Sequence, residues 1–172
     1  MKEKAFAVDF IGIGTGKAGS TWMADVLRQH PEICIPQNKE LNYFQQYQSL
    51  NPGTENINYG KSVEWYHEFF KIAESNQLCG DVSPAYLASK NAAPDIYDYN
   101  PNVKLIAVLR EPVEKLHSTY LYRKQLGHLG SGDIFQAMEQ HPEMVDVCYY
   151  HDNLKRYYDI FPSEQMLVLL YD

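Results

Sequence analysis

An apolar run at residues 6–13 breaks into the glycine-rich stretch GIGTGKAGSTW at 12–22, and an amphipathic segment follows at once. Apolar β-formers ended by glycines read as a buried strand. Trp22, Met23, Val26 and Leu27 then recur at helical spacing opposite Asp25, Arg28 and Gln29. That pattern predicts a helix, stopped by His30-Pro31. The rest of the chain repeats the theme. Strand-like runs at 33–35, 78–82, 103–109 and 166–171 alternate with helical patterns at 65–73, 92–99, 112–127, 133–141 and 150–161. Residues 51–60, NPGTENINYG, are all turn chemistry and predict an exposed loop. Such alternation predicts an α/β, three-layer, P-loop-like fold with a central parallel sheet and helices on both faces.

The chain's 172 residues suffice for one domain with a real core, and 1–172 is read as a single domain. A net charge of −7 argues against nonspecific binding to nucleic acid, which needs a basic face, while leaving room for a local basic pocket. Cys34, Cys79 and Cys148 are odd in number and far apart, with no metal-ligand spacing. They read as buried free thiols of a reducing compartment. No stretch is apolar enough for a signal peptide or a membrane span, so the expected location is the cytoplasm. Fourteen tyrosines are many for this length; most are expected in the core or half-buried, some along a cleft. The oligomeric state, a homo-oligomer included, is left open.

The glycine loop has the make-up of an anion site. Its glycines let the backbone come close, and the first N–H groups of the following helix have no helical partners. Lys17 adds a point charge; Ser20 and Thr21 add hydroxyls. A nucleoside-triphosphate loop reads G-x-x-x-x-G-K-[ST]. Here Gly12 to Gly16 is one residue short and Ala18 follows Lys17, so the hydroxyl that would hold Mg²⁺ beside the lysine is missing. That suits a phosphate compound bound without a metal. A surface lysine on a plain glycine turn is the bland alternative.

Lys17, Gly19, Ser20 and Thr21 match the form K-x-G-[ST]-[ST], and Leu109-Arg110-Glu111-Pro112 follows the apolar run VKLIAV, with Ser118 eight residues after the arginine. In these residues the chain resembles the sulfotransferases that use 3′-phosphoadenosine 5′-phosphosulfate (PAPS). The resemblance implies that Lys17, Ala18, Gly19, Ser20, Thr21 and Trp22 cradle the 5′-phosphosulfate. It implies that Arg110 and Ser118 hold the 3′-phosphate, with PAPS as co-substrate and no metal. Lys39-Glu40-Leu41-Asn42-Tyr43-Phe44 is similar to the K-E-x-x-[FY]-F segment of the sugar-chain-modifying branch and its bacterial relatives. This implies Glu40 as the base and Lys17 as the second catalytic residue. Taken alone, Arg110 reads as an ion pair with Glu111 or Glu114, Ser118 as a polar spot on a helix, and Glu40 as a solvated carboxylate.

Cys79-Gly80-Asp81-Val82-Ser83-Pro84-Ala85-Tyr86 resembles the family's G-E-K-[ST]-P-x-Y segment, with Val82 where many sugar-sulfating members have lysine and Asn42 where some have histidine. A small alcohol, phenol, lipid or carrier-bound chain is therefore as plausible an acceptor as a carbohydrate. The tail from Tyr150 to Pro162 and MLVLLYD also resembles the family, whose members run on into a loop over the nucleotide. That loop is expected to be missing or replaced here. Two other functions stay open: a small-molecule kinase with a degenerate phosphate loop, using Asp81 for Mg²⁺, and a non-catalytic nucleotide-binding remnant.

Overall fold

The order β2-β3-β1-β4-β5, parallel throughout, describes the sheet in the computed structural model, which covers residues 6–48 and 53–171. Residues 1–5 of the N-terminal stretch and residues 51 and 52 of the expected loop lie outside the described residues. The strands are β1 (Phe10–Gly14), β2 (Ile33–Cys34), β3 (Leu78–Val82), β4 (Lys104–Arg110) and β5 (Met166–Tyr171). β1 is central and buried at every position, as a parallel strand covered on both faces must be. It starts later than the apolar run suggests. The Val8 amide is taken by the Tyr99 hydroxyl, 2.9 Å away, and not by a neighbouring strand.

The helices are α1 (Ser20–Arg28), α2 (Val63–Glu68), α3 (Ala92–Tyr99), α4 (Pro112–Gln125), α5 (Ile134–Gln140), α6 (Glu143–Asp146) and α7 (Tyr150–Tyr158). Local chemistry places their starts. Ser62 caps α2 by accepting from the Trp65 amide, and Asp133 caps α5 by accepting from the Gln136 amide. Pro112 opens α4, whose N-terminus is capped by the Glu111 carboxylate. α2 ends sooner than its aromatic stripe. Past Glu68 the bonds tighten, with Phe70 N donating to His67 O and Ala73 N to Phe70 O, both at 3.0 Å, so the stripe continues as turns.

Alternate residues of β1 point to opposite faces. Ile11 and Ile13 join Tyr66, Phe70, Ile96, Tyr157 and Phe161 under α2, α3 and α7. Phe10 joins Met23, Ala24, Val82 and Val108 under α1 on the other face. A third, smaller cluster of Tyr120, Ala137 and Met144 ties α4 to α5 and α6. Gly80 lies under the Phe10 ring, where any side chain would collide with it. Cys34 and Cys79 are buried and paired in register across β2 and β3, Cys148 is half-buried, and all three are free thiols.

The strand order creates the site. From β1 the chain leaves through α1 toward β2; from β4 it leaves through α4 toward β5, on the other side of the sheet. The two departing loops diverge at the carboxyl ends of adjacent strands. This is the crevice in which open α/β sheets bind ligands.

Candidate active site

The loop after β1 is tied to β4 by the Thr15 amide, which donates to Val108 O at 2.7 Å. Lys17 has φ 65° and Gly19 has φ 77°, so the backbone turns twice through the left-handed region before α1 begins. At Gly19 a side chain would also press on the Tyr171 ring, 3.0 Å from the added carbon. No side chain caps α1, so its first amides have no side-chain partner.

A cleft of about 570 Å³ opens over this loop. Its wall includes Lys17, Gly19, Ser20, Thr21, Glu40, Arg110 and Ser118. All seven are sequence-predicted site residues, and they come from three separate stretches of the chain. Lys17 and Arg110 stand on the same side of the molecule: the Arg110 guanidinium reaches the Lys17 carbonyl at 3.5 Å. Ala18 is fully buried, Trp22 is 68% exposed, and neither side chain joins the wall.

Each cation has a resting partner. The Lys17 ammonium lies 4.3 Å from the centre of the Tyr122 ring. Arg110 pairs with Glu114 at 3.1 Å and lies 5.6 Å from the Tyr171 ring centre. The ion pair read from sequence alone therefore exists, and the same guanidinium still borders the cleft.

Glu40 is held by its backbone. Its amide donates to Val82 O at 3.1 Å, and the Asn42 amide donates to Ser83 Oγ at 3.1 Å. Both residues have positive φ, 63° and 49°. Beneath them lies a buried polar knot. The Asp81 carboxylate accepts from Ser83 Oγ at 2.8 Å, Tyr86 OH at 2.9 Å and Tyr66 OH at 3.1 Å. Burial pushes its pKa up to about 6, against the pull of those three donors. Asp81 is 1% exposed and absent from the cleft wall, so it is committed to the core.

Several participants carried no assignment from sequence. Lys39 sends its ammonium to Thr21 Oγ1 at 2.8 Å, Glu40 Oε1 at 3.2 Å and Ser20 Oγ at 3.4 Å, bridging the loop to the carboxylate. It sits within the K-E-L-N-Y-F stretch, but only folding shows where the side chain goes. Thr119, Tyr122 and Arg123 of α4 and Tyr171 of β5 also line the cleft. Their helical spacing was the available signal for the first three.

A family model described as "Sulfotransferase domain" matches residues 8–172. The chain belongs to this sulfotransferase family. Among curated proteins it is 35% identical to "Membrane-associated sulfotransferase kil1" of Dictyostelium discoideum over 120 residues, covering 68% of this chain and 23% of that protein. It is 26% identical to human "Heparan sulfate glucosamine 3-O-sulfotransferase 5" over 172 residues, covering 91% and 46%. The chain thus spans less than half the length of either relative. Among solved structures, a sulfotransferase from Alicyclobacillus acidocaldarius superposes with a TM-score of 0.83 at 25% identity, over 96% of this chain and 74% of its own. The fold described above is therefore that of a sulfotransferase.

Proposed function

We propose that the chain transfers a sulfuryl group in line from PAPS to an acceptor hydroxyl or amine. One observation carries this reading: Lys17, Ser20, Thr21, Glu40, Arg110 and Ser118, drawn from three distant motifs, share one cleft. The loop and α1 amides with Ser20 and Thr21 hold the 5′-phosphate, and Arg110 with Ser118 holds the 3′-phosphate. Glu40 takes the acceptor's proton as its oxygen or nitrogen bonds to sulfur. The sulfur–oxygen bond to the 5′-phosphate breaks, and its electron pair stays on the leaving oxygen. Lys17 and the amides stabilise that charge.

The acceptor belongs to the alcohol or amine class, carried by a carbohydrate, lipid, phenol or other small molecule. A carbohydrate is supported by the named substrate of the heparan sulfate relative. Val82, in place of a lysine, removes one cation that would favour a polyanionic chain. The kinase reading loses its Mg²⁺ carboxylate, because Asp81 is engaged by three hydroxyls in the core.

Thermal shift tests the donor site. 3′,5′-ADP without metal should stabilise the protein, by about 2.7 kcal/mol at a hundredfold excess over its Kd. Stabilisation by ATP with Mg²⁺ alone would overturn the reading. Transfer of radiolabelled sulfate to a panel of acceptors separates an enzyme from a binding remnant.

A further inference from the structure

α4 turns a polar stripe inward. Lys115, Ser118, Thr119, Tyr122 and Arg123 all line the cleft, at the i, i+3, i+4, i+7, i+8 spacing of one helix face. Apolar residues normally occupy such a covered face. Two of these residues are cations sealed from solvent, Lys115 at 2% and Arg123 at 4% exposure. Arg123 is answered by Glu143 at 2.6 Å. Lys115 forms no ion pair among the described residues. The hydrogen-bond partner of its ammonium is the Cys148 thiol, 3.8 Å away. A thiol is a weak acceptor, and burial pushes the Cys148 pKa up and so keeps it neutral. Burial likewise pushes the Lys115 pKa down.

A buried ammonium without a counter-charge is costly, and proteins keep one where it meets a ligand or another charge. Lys115 lies one helical turn before Ser118, on the helix that begins directly after Arg110. The 5′ end of the cleft already has Lys17, two hydroxyls and the free amides of α1. We propose that Lys115 is a third ligand of the nucleotide's 3′-phosphate, beside Arg110 and Ser118. This assignment rests on the donor reading above. A phosphate there supplies the anion that the folded chain withholds from Lys115.

Calorimetric titration of the full chain with 3′,5′-ADP and with 5′-AMP tests the assignment. Lys115→Met and Lys115→Gln should each weaken 3′,5′-ADP about tenfold or more, the loss expected for one charge-assisted hydrogen bond. Both should leave 5′-AMP within about twofold, and Lys115→Arg should recover most of the affinity. Ligand-free Lys115→Met should melt no lower than the parent, since it loses an uncompensated buried charge. Equal loss of both nucleotides, or no loss of either, would overturn the assignment, and a lower melting temperature with equal losses makes Lys115 a packing residue. If Lys115→Met fails to fold, the contrast between the Gln and Arg variants decides. A parent protein that binds 3′,5′-ADP no better than 5′-AMP would overturn the donor reading itself, and this assignment with it.

Discussion

Lys17, Glu40 and Asn42 are the non-glycine residues with positive φ among the described residues, and two of them are the proposed catalytic pair. Such a backbone costs on the order of 1 kcal/mol or more at each position, and it persists where the surroundings over-determine it. Here the determinants are the Val82 carbonyl and Ser83 hydroxyl beneath Glu40 and Asn42. Lys17→Met and Glu40→Gln should each slow sulfate transfer by ~10²–10⁴-fold, the range for one charge-stabilising or acid–base group. Radiolabel turnover checks this; parent-like turnover in Glu40→Gln would remove it as base. The placement of Lys17 and Arg110 at one cleft was legible because their types and neighbours follow a strand. The bridging by Lys39 was not, since an ammonium at the end of a flexible stem shows no periodicity.

Elements were legible where the pattern was long or sharply bounded. Residues 78–82, 92–99 and 166–171 fold as the runs and turns predict. α6 was missed: four residues carry no helical period. Asp133 caps α5, and Asp133→Ala should cost about 0.5–2 kcal/mol in urea unfolding. At the start of α1 a different constraint rules. Gly19→Ala combines a left-handed φ with contact on the Tyr171 ring. It should lower stability by roughly 1–3 kcal/mol and weaken 3′,5′-ADP, because the same turn aims the amides. Unchanged affinity would mean that the cradle tolerates a shifted turn.

At the scale of the whole molecule, the strand order was beyond reading from sequence. Alternation implies parallel crossovers, but which strand lies beside which depends on long-range packing of near-equivalent apolar runs. The buried Asp81 knot is a further product of that packing, and it gives stability a pH signature. Asp81 holds its proton up to about pH 6 when folded, against an ordinary value of 3.8. Between those values the folded protein binds more protons than the unfolded chain, so this contribution to stability falls as pH rises. The drop is at most about 3 kcal/mol. Urea unfolding of the parent and Asp81→Asn from pH 4 to 7 should show the difference between them changing across that window. A flat difference would mean that the hydroxyls keep Asp81 ionised throughout.

Tyr171 closes the far side of this assembly. Its ring abuts the Gly19 turn, faces the Arg110 guanidinium, and comes from a border strand in register with β4. A fragment clipped in the Pro162 turn would keep both motifs proposed to hold the phosphates yet lose the partition that holds them at a fixed span. It should therefore be a poor receptor for the nucleotide with every signature residue still present.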